Sequence, residues 1–322
     1  MAQTFIYRGV QCGLSILLSF WVAQAQAHLV STGQTDNFNI WDFDPLALVI
    51  LIALAAVYFR GNRILSNRNL NNRPQFNTRT YQFWLGWLTL ILALVSPLDS
   101  LGEYLFSAHM IQHELLMLVA GPLLVMSRPG SAMVHGSKSI SIAILRRLAG
   151  KRSNVLRLGH GLLSPLSAWI IHFIGLWLWH LPALFNASLT NNWLHSLQHI
   201  CFLAISLIFW YSIFRTSEEK SMQSVVSLFT TAIHASILGA LLTFSPVIWY
   251  QEYESRTQAW GLTPLQDQQL GGLIMWMPAG VVFVAIALVQ LAQYLQKSHD
   301  VDATDKLAPI GARSSSTQCD PK

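Results

Sequence analysis

From Pro45 to Leu295 the sequence is a succession of apolar runs: Pro45 to Phe59, Tyr81 to Val95, Leu105 to Met126, Leu163 to Trp179, His195 to Phe214, Val225 to Tyr250 and Leu270 to Leu295. A run of about 20 apolar residues is what crosses a bilayer core about 30 Å thick. In hydrocarbon each run must satisfy its own backbone, which an open chain achieves only as a helix. Flanking aromatics such as Trp41 and Tyr81 lengthen the shorter runs and suit the membrane interface. The expected fold is all-α, a polytopic membrane bundle of about seven transmembrane helices. Composition agrees, since only 11% of residues are charged, against about 25% in a soluble domain.

Ahead of the first run, Arg8, the apolar stretch Val10 to Ala23 and Ala25-Gln26-Ala27 have the charge, core and small-residue site of a secretory signal. Cleavage is expected after Ala27 or after Ala25, with an uncleaved first helix as the alternative. The expected organisation is a signal peptide over 1–27, an outer segment over 28–44, the membrane domain over 45–296 and a disordered polar tail over 297–322. Cleavage after Ala27 would give His28 a free amine beside its imidazole, a chelate suited to copper, although any cut before a histidine would do the same. Cys12, Cys201 and Cys319 fall in the signal, an apolar run and the tail, which excludes a disulfide framework.

Lys and Arg collect in alternate loops. Arg60, Arg63, Arg68, Arg73 and Arg79 fill the first, the stretch from Arg128 to Arg157 the third, and Arg215 and Lys220 the fifth. The loops between hold Asp99 and Glu103, then no charge from Leu181 to Trp193, then Glu252, Glu254, Arg256 and Asp267. The basic loops are expected in the cytoplasm, with the C-terminus, and the others outside the plasma (inner) membrane. Ile140 to Arg157 mixes Ile, Leu and Arg as an interfacial amphipathic helix does. A net charge of +5 carried in such loops speaks for headgroups and against nucleic acid, which needs a basic face on a folded surface.

Most histidines fall toward the outer ends of the runs. His109 and His113 are one turn apart and project from one face, and His195 and His199 repeat the spacing. His180 ends the fourth run, while His172 and His234 sit nearer mid-depth. Two imidazoles at i and i+4 can share a metal, and neither pair has the intervening Glu of a metalloprotease, which argues against protease chemistry; the chain is expected not to be an enzyme. Met117 continues the His109–His113 stripe, and Met275 and Met277 are available on the last run. Imidazole with thioether suits cuprous copper, where zinc would recruit carboxylate or thiolate. Set against this, methionine fills gaps in cores, and His172 and His234 have interhelical hydrogen bonding as their plainer role. Glu114, the acid within a span, needs a partner or a proton. Asp267 is expected to cap the run from Leu270, with ligand orientation as a second use.

His109-Met110-Ile111-Gln112-His113, Trp179-His180-Leu181-Pro182, Gln198-His199 and Asp267-Gln268-Gln269-Leu270-Gly271-Gly272 together resemble the multi-pass assembly factors of caa3-type cytochrome c oxidase. The resemblance spans nearly all seven runs. It implies help in maturing a haem-copper oxidase, with oxidase subunits as partners and His109, His113, His180, His195 and His199 as candidate ligands. Accessory candidates are Glu114, Met117, His172, His234 and Asp267. The chain departs from the family pattern at Glu114, where an apolar residue is expected. Copper is the first expectation and haem the second; a metal or proton transporter and a haem-binding or scaffolding protein are the alternatives. Retinal chemistry is excluded, because no run contains the lysine that a Schiff base requires.

Overall fold

The computed structural model describes residues 45–67, 73–137, 161–215 and 221–307. The expected signal peptide, the outer segment with His28, the basic stretch Ile140 to Arg157 and the end of the tail lie outside the described residues. Within them all regular structure is helical: α1 (Pro45–Ser66), α2 (Arg73–Leu94), α3 (Pro97–Gly102), α4 (Phe106–Glu114), a π-helical turn (Leu115–Ala120), α5 (Gly121–Ser127), α6 (Gly130–Gly136), α7 (Pro165–Trp179), α8 (Pro182–Thr190), α9 (Asn192–Phe214), α10 (Ser221–Thr243) and α11 (Pro264–Leu307). Several starts follow from local sequence. Ser96 and Ser164 cap α3 and α7, each with proline in the first turn, and Asn191 accepts from the amides of Trp193 and Leu194. Proline is tolerated there because that turn's amides have no intrahelical partner.

Five helical stretches are long and apolar enough to cross a membrane: α1, the rod Phe106–Ser127, α9, α10 and α11 up to Gln296. A sixth arises if α7 and α8, bent by 69° across a short break, count as one span. The seventh expected crossing falls on α2, whose first turns carry Arg73, Gln75, Asn77 and Arg79 and leave a short apolar remainder. Its helix forms, with a shorter apolar stretch than the five long helices have. The last helix runs on to Leu307, beyond the expected domain boundary at 296. Leu85, Ile174, Phe229 and Val281 stand on the outside of the bundle, each more than half exposed. A continuous apolar exterior of this kind is what a multi-pass membrane protein presents to lipid.

Between such helices close approach comes from small residues. A Cβ on Gly272 of α11 would lie 2.7 Å from the Thr243 amide nitrogen and 2.8 Å from the Gly239 carbonyl of α10, so only glycine allows that crossing. The two ends of the bundle differ chemically. At one end Arg128 and Arg215 lie close to each other and to Arg79. Burial first, and then the like charge of Arg79 on Arg128 and of Arg128 on Arg215, holds both guanidinium groups below their ordinary range. At the opposite end, helices α4, α7, α8 and α9 and the start of α11 gather the histidines.

Candidate metal centre

Helix α4 starts at Leu105, which offers no side-chain cap. The cap comes from α11: Asp267 accepts from the Phe106 amide at 2.6 Å, the Ser107 amide at 3.1 Å and the Ser107 hydroxyl. A carboxylate on the exposed amides of a helix start also meets the positive end of its dipole. Asp267 was expected to cap its own helix. Thr263 does that instead, its hydroxyl accepting from the Gln266 backbone amide while the Gln266 side-chain Oε1 accepts from the Thr263 amide, a capping box. Asp267 is thereby released to fix the helix that carries His109 and His113.

From that anchored start, His109 and His113 point into the bundle with their rings 4.2 Å apart. His195 and His199 come to meet them from α9, 4.4 Å from each other and 5.3 and 5.7 Å from His109. The ligand nitrogens of His109, His195 and His199 all lie within 4.8 Å of one another. His113 is 5.5 Å from His199, and His180, at the bend between α7 and α8, is 6.3 Å from His113. The structure therefore brings all five of the expected outer histidines together. Both nitrogens of His109 and of His113, and Nε2 of His180, His195 and His199, are buried without a hydrogen-bonding partner.

Neighbouring groups hold the His180 ring and the backbone around the cluster. His180 Nδ1 lies 2.7 Å from the Leu176 carbonyl, an acceptor only, so Nδ1 carries the proton and Nε2 keeps its lone pair. This is how ligating imidazoles are commonly oriented. Tyr250 donates to the His180 carbonyl at 3.0 Å, Tyr253 to the Gly102 carbonyl at 2.8 Å, and Arg256 to the Glu103 carbonyl at 2.9 Å, tying the loop between α10 and α11 across the cluster. Gln112 donates to the Ala93 carbonyl at 2.7 Å and to Asp99. Buried imidazole nitrogens with free lone pairs suit a copper or zinc ion, and among the described residues no carboxylate or thiolate joins the group of three.

Beside the cluster, toward mid-depth, is a cavity with about 30 Å³ of room, lined by Met110, His113, Glu114, Met117, His172, His180 and Met275 among others. Met110, His113, Glu114 and Met117 form a second stripe on the same rod, sharing His113 and Met117 with the first. Sequence reasoning missed Met110, although its spacing of three from His113 and seven from Met117 was the available signal. Met277 is half exposed on the outside of the bundle and takes no part. Glu114 Oε2 is buried with no hydrogen-bonding partner. His172 and His234 stand apart from the five, their rings 5.9 Å from each other. Both nitrogens of His234 and Nδ1 of His172 are buried without a hydrogen-bonding partner.

The π turn shapes the wall of this cavity. The Gly121 amide bonds the Leu116 carbonyl, five residues back. In the same register the Met117 carbonyl would face Pro122, which has no N–H to give. Two side chains of α9 serve it instead, Ser206 Oγ and Trp210 Nε1, each at 2.8 Å.

Residues 56–297 match the model of the cytochrome c oxidase caa3 assembly factor family (Caa3_CtaG). The chain is 25% identical over 278 residues to an uncharacterized protein of Mycobacterium leprae (strain TN), covering 82% of this chain and 41% of the relative. Uncharacterized proteins of Mycobacterium bovis (strain ATCC BAA-935 / AF2122/97) and Mycobacterium tuberculosis (strain CDC 1551 / Oshkosh) are each 26% identical over 267 residues, covering 78% of this chain and 39% of theirs. The chain thus spans about two fifths of the length of these curated relatives. No solved structure matches it.

Proposed function

This chain belongs to the cytochrome c oxidase caa3 assembly factor family, and from that membership we propose that it assists maturation of an oxidase copper centre by holding copper among His109, His113, His180, His195 and His199. One observation carries the reading: the ligand nitrogens of His109, His195 and His199 lie within 4.8 Å of one another. Their unpartnered, buried nitrogens support it, because imidazole lone pairs left without protons to accept are costly unless something binds them. Imidazole favours copper among the divalent first-row metals. The small cavity beside the cluster has room for an ion or about two waters, not a porphyrin.

Copper is cargo here, and the chain is a carrier rather than a catalyst. By the excess of Lys and Arg at the arginine end, that end faces the cytoplasm, and the histidine end faces outward from the plasma (inner) membrane, with seven crossings in all. Oxidase subunits would receive the ion at that outer surface. Asp267 acts from behind by fixing α4.

The test is cupric ion added to the detergent-purified chain and followed by electron paramagnetic resonance. Nitrogen-coupled signal is expected from the unaltered protein and not from the H109A/H195A/H199A variant. In cells lacking the chain, that variant is expected to leave the oxidase short of copper. A triple variant that binds cupric ion as the parent does would overturn the reading.

A further inference from the structure

We propose that the cavity beside the histidine cluster is a second metal site, selective for a soft monovalent cation such as the cuprous ion, with Met110, Met117 and Met275 as thioether ligands, Glu114 as counter-charge and His113 shared with the cluster. As a station for the same cargo it rests on the copper reading above; as a binding site it stands on its own residues.

The sulfurs come first. Met110 and Met117 on the Phe106–Ser127 rod and Met275 on α11 line one cavity and are almost wholly buried. Methionine used only as a gap-filler closes the gap, whereas here about 30 Å³ stays open with three of them in its lining. That is room for an ion or about two waters. Met277, two residues beyond Met275, faces outward, so the convergence is positional and does not reflect a helix rich in methionine. Met117 is also held from behind, its carbonyl fixed by Ser206 and Trp210.

The charge comes second. Glu114 lines the same cavity, and its buried Oε2 has no partner. The ion pair seen among the described residues is Arg256–Glu252, far from it in sequence and in the outer loop. An ionised carboxyl in a membrane span needs compensation. A monovalent cation brings the site to neutrality, while a divalent one leaves an excess charge in a low-dielectric interior. Thioether donors act in the same direction, as soft ligands that suit the cuprous ion. Charge and donor chemistry therefore select the same guest.

His113 joins the two places. Its ring is 4.2 Å from His109 and 5.5 Å from His199, and it also lines the cavity. An ion bound to His113 can exchange the imidazoles of His109 and His199 for thioethers one at a time. Only metal–ligand bonds are made and broken; the ion stays cuprous and no electron moves.

The experiment uses the full chain in detergent with silver(I), a redox-inert soft cation, read by stoichiometry and X-ray absorption. Two silver ions per chain are expected, one with sulfur neighbours. M110L/M117L/M275L, near volume-conserving, is expected to lose the sulfur signal and one ion while keeping the nitrogen-coupled cupric signal. E114Q, which preserves shape, is expected to weaken the sulfur-bound ion at least tenfold and so tests the proposal even if the triple variant folds poorly. H109A/H195A/H199A is expected to keep the sulfur-bound ion. Silver without sulfur neighbours in the parent, or equal binding by the parent and E114Q, would overturn this inference. The cluster reading fails separately, if the cupric signal survives loss of its three histidines.

Discussion

Two groups of buried histidines lie in this bundle, and their surroundings are unlike. Around the five-ring cluster, Asp267 fixes the start of α4, the Leu176 carbonyl fixes the tautomer of His180, and Tyr250 and Tyr253 tie the covering loop to the backbone on either side. His172 and His234 are instead set among Trp169, Phe173, Phe209 and Phe283, and meet each other edge-on. Burial is common to both groups. What separates them is the polar frame around the first group, a cap on the helix that carries His109 and His113, a ring bond at His180 and ties from the covering loop, which is the part of a metal site beyond its ligands.

The sharpest way to break this comparison is to delete rings on each side of it. H109A/H195A/H199A is expected to lower cupric affinity by well over about 100-fold, more than the loss of an outer-shell partner costs. H172A/H234A is expected to leave it within about twofold in the same resonance titration; an equal loss from both would show that orientation does not distinguish the groups.

Next in size is the cap. D267A removes three hydrogen bonds from the first turn of α4 and is expected to cost about 1–2 kcal/mol, seen as a lower unfolding temperature in detergent. It should also weaken cupric binding by about 10- to 100-fold. D267N, whose amide oxygen still accepts, should fall between it and the parent. A D267A chain that is destabilised but binds copper normally would reduce Asp267 to a structural role.

The smallest expected effect lies in the covering loop. Y253F loses the bond to the Gly102 carbonyl, worth about 1 kcal/mol. Burial first, and then the Asp267 charge, holds the Tyr253 phenol well above its ordinary range. The unfolded chain's phenol ionises near about pH 10, so this contribution is full below that pH and declines above it. Unfolding measured from pH 8 to 11 should show a shallower alkaline decline in Y253F than in the parent.

The helical runs and the histidine pairs were legible because each rests on a local period: about 20 apolar residues for a span, four residues for a shared face. The bend that brings His180 toward the cluster was foreshadowed by Pro182, but not its angle. The role of Asp267 was not legible. A capping rule looks a few residues ahead, and the amides it serves lie about 160 positions earlier in the chain. The span at α2 is the one its composition leaves short, because its apolar run is joined to charged turns in one helix. Met110 was hidden by its neighbour His109, since one α-helical stripe was followed and the adjacent one, offset by a single residue, was not.

The π turn at Leu115–Ala120 gives this rod a tolerance that membrane helices seldom have. In a regular α-helix, removing one residue swings everything beyond it by about 100°. A π turn already contains one residue more than the α-helix it interrupts, so losing one there restores the regular winding and leaves both flanks facing as before. Pro122 would then stand four residues after Met117, still with no amide to offer, and Ser206 and Trp210 would keep their acceptor. Length variation among related chains is therefore expected to concentrate in these six residues, the one stretch of the rod that can shorten without turning His109 and His113 away from α9.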